Sequence, residues 1–264
     1  MSSSNSGTAG YGSLAYAILS REVINWARYP VNAASVVFGQ FFFFALIFFG
    51  GQAVGSQGFS DSAAGLVVGY FLWSLVGQSY QGTIGIITEE ASWGTLERHF
   101  ISPFGFNRVL FIKAIARMLR ALFVSLAVLA MMVILTGTQL QMHVITVLSI
   151  LLLTTLSVVG LGFAMGGVAV LYKRISSFSQ LFSLVILGLV GAPVLDIPWL
   201  RVLPVVQGSA MLQQTMRSGV RLWQFDGIDI GILVGVTLVY FGIGFAVFHL
   251  TQRRARNVGV LGDY

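Results

Sequence analysis

Long apolar segments, joined by connections that alternate in basic charge, constrain this chain more than any other feature. Six segments have the length and apolarity of membrane-spanning helices, at about 31–50, 63–87, 107–135, 144–171, 178–194 and 228–250. The even connections and both tails hold twelve of the 15 Lys and Arg residues, namely Arg21, Arg28, Arg98, Arg108, Lys113, Arg117, Arg120, Lys173, Arg174, Arg253, Arg254 and Arg256. The odd connections hold only Arg201, Arg217 and Arg221. By the positive-inside rule the richer side is cytoplasmic. We therefore expect an all-α polytopic protein of the cell membrane with both termini in the cytoplasm.

The composition agrees with a membrane protein. Only 9% of the residues are charged and 56% are hydrophobic, whereas a soluble domain carries about 25% charged residues. The net charge of +6 therefore indicates contact with anionic lipid and not with nucleic acid. The chain has no cysteine, which excludes disulfides, thiolate nucleophiles and cysteine-ligated metals.

The N-terminal region divides into a tail and an amphipathic helix. Residues 1–12 are uncharged and rich in Ser and Gly, as in a disordered tail. Ser13 is the predicted N-cap of a helix that reaches about Tyr29. Its two faces are an apolar stripe and a polar side, with Tyr16, Leu19, Val23 and Trp26 opposite Arg21, Asn25 and Arg28. This pattern favours a helix in the membrane interface over one packed on protein. A transmembrane domain would then occupy 13–257, with a short C-terminal tail at 258–264.

The sequence shows no catalytic constellation. His99, His143 and His249 are not spaced as metal ligands, and neither a phosphate-binding P-loop nor a G-x-S-x-G elbow occurs. We therefore expect no enzymatic activity and no cofactor in this chain. The spans offer uncharged polar groups, of which Gln40 and Gln78 are the candidates for lining a pathway. Because an internal proton relay would need ionisable groups, the energy for any transport should come from outside the chain.

Two further patterns concern helix packing. Lys113, Arg117 and Arg120 share one helical face, from which they can reach lipid headgroups or pair with acidic groups. Small residues stand four apart in three places, at Gly65 and Gly69, at Gly162 and Gly166, and at Gly227, Gly231 and Gly235. This spacing predicts close helix contacts, mainly within the chain.

Two connections are longer than a turn requires. The cytoplasmic one, at 88–106, places Glu89, Glu90 and Glu97 beside Trp93, Leu96 and Phe100, which favours a protein-docking surface over an acid–base site. The external one, at 192–227, contains Pro193, Pro198 and Pro204, which interrupt helix geometry. We expect it to form a re-entrant hairpin that covers the outer end of the bundle.

These connections resemble those of type-2 ABC transporter permeases. The cytoplasmic match is the acidic pair, Gly94-Thr95-Leu96-Glu97 and Ser102-Pro103 after the second span, although His99 and Phe100 replace a small aliphatic pair. The external match is a proline-punctuated hairpin before the last span, which includes Pro193, Pro198-Trp199-Leu200-Arg201, Pro204 and Arg217. The resemblance covers the chain except its first dozen residues and is greatest for the drug and lipo-oligosaccharide export branch.

The resemblance implies an ABC exporter permease that forms a homodimer and binds two copies of a separate ATPase, which carries ATP and Mg. The coupling helix that docks on the ATPase would then include Glu89, Glu90, Trp93, Gly94, Thr95, Leu96, Glu97 and Phe100, and the hairpin would include Pro193, Pro198, Trp199 and Pro204. The apolar and aromatic spans suit an amphipathic or lipid-like cargo. The residues alone leave two alternatives open, an ATP-independent facilitator or channel and a membrane scaffold without transport.

Overall fold

The computed structural model describes residues 11–54, 59–92, 106–172, 176–195 and 197–258, and within them the chain is helical without strands. The α-helices of this described part are α1 Tyr11–Arg28, α2 Pro30–Val54, α3 Phe59–Ser92, α4 Phe106–Thr136, α5 Val144–Tyr172, α6 Ser176–Gly191, α7 Val206–Ser218 and α8 Gly227–Val258. Short 3-10 turns occupy Ala192–Leu195, Pro198–Val202 and Leu222–Gln224. The all-α fold class is thus confirmed.

Each of the six predicted spans coincides with a helix. Within the described residues, four helical segments are long and apolar enough to cross a membrane, at Pro30–Ala53, Arg108–Thr136, Val144–Ala169 and Gly227–Arg254. Helix α6 contributes a shorter apolar stretch, Ser179–Gly191. Helix α3 has the length of a span, but polar side chains such as Ser74, Gln78 and Ser79 lower its hydropathy. Crossing by all six helices remains a prediction.

Helix α3 can carry polar side chains because it is the central helix of the bundle. It packs mainly against α4 and α5 and also contacts α2, α6 and α7. Phe71, Leu72, Leu75 and Tyr80 are fully buried in it, and they join the main apolar cluster of the described residues. An inner helix does not face lipid, so it can carry hydrogen-bonded polar groups without exposing them to hydrocarbon.

Glycines set the distances between α5 and its two neighbours. A Cβ at Gly162 would lie 2.8 Å from Cβ of Thr83 in α3, and one at Gly160 would lie 2.5 Å from Cα of Phe241 in α8. The predicted contacts of Gly162 and Gly166 are therefore confirmed, whereas Gly160 was not foreseen. Gly65 and Gly69 face α7. The prediction of close contacts within the chain is wrong for Gly227, Gly231 and Gly235, where no heavy atom from another part of the described chain lies within 4 Å of an added Cβ. Contacts of these glycines with a second chain remain a prediction.

Helix α1 confirms the predicted amphipathic helix but not its cap. The helix already includes Tyr11, so Ser13 lies inside its first turns and is not the N-cap. Trp26 packs against the core, while Tyr16 and Val23 are 76% and 68% exposed. The apolar stripe is thus available to a bilayer, as an interfacial helix requires. The remainder of the predicted tails, 1–10 and 259–264, lies outside the described residues.

The segment between α6 and α8 is more than a simple hairpin. Two 3-10 turns lead into the 13-residue helix α7, and a third turn precedes α8. The prolines explain these breaks, because Pro193 and Pro198 lie in the 3-10 turns and Pro204 stands just before α7. We call the end of the bundle that holds this segment the α7 end. The opposite end, where α1 meets the end of α3 and the start of α4, is the α1 end.

Candidate functional site

An ion-pair cluster joins three helices at the α1 end. Nη2 of Arg117 in α4 lies 2.8 Å from Oε2 of Glu89 in α3. Nε of Arg117 lies 3.5 Å from Oε1 of Glu22 in α1, an ionic contact too long for a good hydrogen bond. Nη1 of Arg120 lies 3.4 Å from the other oxygen of Glu22. The cluster therefore ties α1 and α3 to the first turns of α4.

Small residues on α3 make room for this arginine. A Cβ at Gly82 would lie 3.4 Å from Cβ of Arg117, and one at Gly85 would lie 3.8 Å from its Nη1. The stem of Arg117 thus runs along the α3 backbone, and its side chain is only 17% exposed. Glu22, Lys113 and Arg117 also line a small cavity of about 110 Å³. Arg117 and Arg120 of the predicted basic face pair with acids, which is one of the two predicted options.

The predicted docking residues are described only in part. The Glu89 carboxylate forms the ion pair with Arg117, so it stabilises the contact between α3 and α4. Glu90 belongs to the last turns of α3. Trp93, Gly94, Thr95, Leu96, Glu97 and Phe100 lie outside the described residues. Helix α3 therefore leads directly from the ion-pair cluster into the connection that carries the predicted coupling residues.

The two predicted pathway residues meet in one polar cluster. The Ser74 hydroxyl donates to Oε1 of Gln40 at 2.6 Å and lies 3.0 Å from the Ser125 hydroxyl. The Gln78 amide donates to Ser125 at 3.1 Å and to Ser74 at 3.2 Å. Gln40 and Gln78 border a cavity of about 450 Å³ between α2, α3 and α6. The polar groups satisfy one another, which lets them persist in an apolar bundle.

A larger cavity, of about 860 Å³, lies at the α7 end. Pro193 lines it, whereas Pro198 and Trp199 lie in the exposed second 3-10 turn and Pro204 is buried. Nη1 of Arg201 lies 3.6 Å from Asp229 at the start of α8, and the Gln207 amide donates to the same carboxylate at 3.0 Å. These contacts fix the turns against α7 and α8.

Within the described ranges, no group of three or more His, Cys, Asp or Glu residues could hold a metal ion. The polar groups instead form contacts between helices and line cavities. Sequence reasoning missed Glu22 and Ser125, since neither belongs to a motif. The only available signal was that Glu22 is the single acid in α1.

Comparison with known families gives one match. The model of the family described as ABC-2 type transporter matches residues 13–220. This range includes the ion-pair cluster, the polar cluster and all of α7. No curated protein matches the chain.

Proposed function

The chain belongs to the ABC-2 type transporter family, and from this premise we propose that it is the transmembrane permease subunit of an ATP-driven exporter. The family match supports a membrane permease of an ABC-2 transport system that works with an ABC ATPase. The finer proposal is that two copies of this chain form a homodimer in the cell membrane and bind two ATPase subunits. Those subunits supply ATP and Mg, and the dimer moves an amphipathic or lipid-like cargo outward by alternating access.

The observation that carries this proposal is the match over residues 13–220, and the geometry of the α1 end supports it. A permease without its own ATP site must receive motion from its partner through a contact with the spans. Helix α3 joins the connection at 88–106 to the Arg117 cluster, which holds α1 and α4. We assign this end to the cytoplasm because it gathers basic residues such as Arg108, Lys113 and Arg253.

Docking at the connection can be tested with one charge. Leu96→Asp places an unpaired carboxylate in the predicted docking surface that also includes Trp93 and Phe100, so it should abolish substrate-stimulated ATP hydrolysis while the protein still inserts. Leu261→Asp, which adds the same charge to the predicted C-terminal tail, is the matched control. Stimulated hydrolysis at the wild-type rate for Leu96→Asp would refute the docking surface.

The topology can be tested separately because the chain has no native cysteine. Single cysteines at Ser56 and Ser218 should react with an impermeant maleimide in intact cells, whereas cysteines at Ser92 and Asn257 should be protected. The reverse labelling pattern would invert the orientation. In reconstituted vesicles, flux without ATP would favour a facilitator, and neither flux nor stimulated hydrolysis would favour a scaffold.

A further inference from the structure

The cavity at the α7 end has one apolar side and one cationic side. Ile47, Leu66, Leu187 and Val190 contribute apolar walls from α2, α3 and α6, while α7 contributes Gln213 and Arg217. Its volume of about 860 Å³ lies within the usual range for small-molecule sites. Such a division suits a ligand with an apolar chain and a polar headgroup.

The charged side chains that line the cavity indicate the sign of the charge on that headgroup. Arg201 is partly neutralised because Nη1 lies 3.6 Å from Asp229. Arg217 has no acidic partner among the residues that the structure describes. Its guanidinium lies against Gly65 of α3, where an added Cβ would be 3.5 Å from Nη1. Arg217 is an exposed residue on the lining of this largely apolar cavity, and a cation with no acidic partner among the described residues favours an anion there.

A second polar atom points to a hydrogen-bond donor on the ligand. The Gln213 amide donates to the Gly65 carbonyl at 3.0 Å, which fixes the orientation of the side chain. The other end of this amide, Oε1, is buried without a partner in the described part of the chain. Buried acceptors are normally satisfied, and a headgroup hydroxyl would satisfy this one.

The apolar side of the cavity includes exposed side chains on helices that are predicted to cross the membrane. Ile47 and Leu187, which line the cavity, are 38% and 41% exposed. Both belong to helices that the span prediction places in the membrane. A chain could therefore enter sideways from lipid, which favours an amphiphile over a water-soluble anion.

From these observations we infer that the α7-end cavity binds an anionic lipid, whose acidic headgroup pairs with Arg217 and whose acyl chain lies along Leu66, Leu187 and Val190. The inference rests on the proposed function only in treating this lipid as cargo. Binding itself requires neither the ATPase nor transport.

The test uses the purified chain in nanodiscs of zwitterionic lipid. A trace of photoreactive phosphatidic acid, or of phosphatidylcholine with the same acyl chains, is activated, and the labelled peptides are identified by mass spectrometry. Phosphatidic acid should label α3, α6 or α7 about tenfold more than phosphatidylcholine, because the phosphate of phosphatidylcholine is balanced by its choline cation and has no hydroxyl to donate to Gln213. The factor is that expected from one additional charge-assisted hydrogen bond. Equal labelling by the two lipids would overturn the inference.

Variants test the role of Arg217. Arg217→Gln should reduce phosphatidic acid labelling to the phosphatidylcholine level, and Arg217→Lys should retain part of the preference. Arg221→Gln is the matched control, because Arg221 stacks over Trp223 at 5.5 Å and does not line the cavity. Equal labelling of Arg217→Gln and Arg221→Gln would overturn the role of Arg217.

A cavity-filling variant tests the location. Ala210→Phe should block labelling in a protein that elutes from a sizing column like wild type, and undiminished labelling would overturn the site. A disulfide between two copies through a cysteine at Ala210 would instead show that a second chain occupies the cavity. Lipid binding without ATP-driven export would refute only the proposed function, and export without lipid binding would refute only this inference.

Discussion

Replacement of Arg117 by Gln should weaken the docking of α1 on the bundle and so increase the population in which α1 is undocked. The 2.8 Å pair with Glu89 contributes about 0.5–1 kcal/mol, the value of an exposed pair, because the Glu89 side chain is 44% exposed. Glu22 and Arg117 are 24% and 17% exposed, so their contact lies between an exposed pair and a buried one, whose rupture costs about 3–5 kcal/mol. Arg120 still compensates Glu22 in the variant, which lowers the loss at Glu22 to about 1.4 kcal/mol.

Limited proteolysis measures this detachment directly. Trypsin can cut after Arg28 at the end of α1 when the helix undocks, and the cleavage rate follows the undocked population if docking is fast. A loss of about 1.4 kcal/mol should therefore raise the rate about tenfold. Arg253→Gln removes an exposed basic residue from α8 and should leave the cleavage rate within about twofold of wild type.

A double-mutant cycle separates the ion pair from a general loss of packing. Glu22→Gln alone should accelerate cleavage more than Arg117→Gln, because it also removes the ion pair between Glu22 and Arg120, which lie 3.4 Å apart. In the double variant the two effects should fall short of additivity by about 1 kcal/mol, since the Glu22–Arg117 contact can be lost only once. Strict additivity, or cleavage of Arg117→Gln at the wild-type rate, would refute the cluster as the attachment of α1.

Two predictions concern stability. Gly160→Ala should lower the free energy of unfolding by about 1–3 kcal/mol because the added methyl group would meet the α8 backbone. Gly235→Ala, at an open position, should be neutral or raise the free energy of unfolding by up to about 1 kcal/mol. Thermal denaturation in detergent compares the two variants, and equal melting temperatures would contradict the close helix contact. Ser125→Ala should lower the free energy of unfolding by about 1–2 kcal/mol because Gln78 loses a 3.1 Å hydrogen bond. The Ser149 hydroxyl donates to the Ile145 carbonyl of its own helix, so Ser149→Ala should change the free energy of unfolding by less than about 0.5 kcal/mol in the same assay.

Hydrophobic length carried most of the fold prediction. A stretch such as 144–171 is apolar over a length that spans a bilayer, where a helix satisfies the hydrogen bonds of the backbone within the segment. The structure has α5 at Val144–Tyr172. Connections were harder to predict because their structure depends on contacts distant in sequence. The prolines indicated the breaks before α7, but no local pattern indicated that Val205 adopts a φ of 76° there.

The sites show the same division between local and tertiary information. The basic face on α4 follows from spacing alone, because residues three and four apart share a helix face. Its partner Glu22 is 95 residues away from Arg117 in the sequence numbering, and no local pattern relates the two. Gln40 and Gln78 could be named because amides are rare in spans, while Ser125 looked like any other serine that bonds to its own helix.

Helix α3 contributes to all three sites, the α7-end cavity, the polar cluster and the ion-pair cluster, and so connects them mechanically. This helix has 34 residues and so extends about 50 Å at 1.5 Å per residue. Gly65 borders the cavity at one end, Ser74 and Gln78 form the polar cluster, and Gly82 and Glu89 hold Arg117 at the other end. A force on the connection after Ser92 could move α3 along its axis, break its contact with Arg117 or tilt the helix. Because glycines let α5 approach α3 closely at Thr83, we expect α3 to tilt about this contact more readily than it slides along its axis. Such a tilt would displace the Gly65 end and the Glu89 end in opposite directions, so that a movement imposed at the α1 end would change the width of the α7-end cavity.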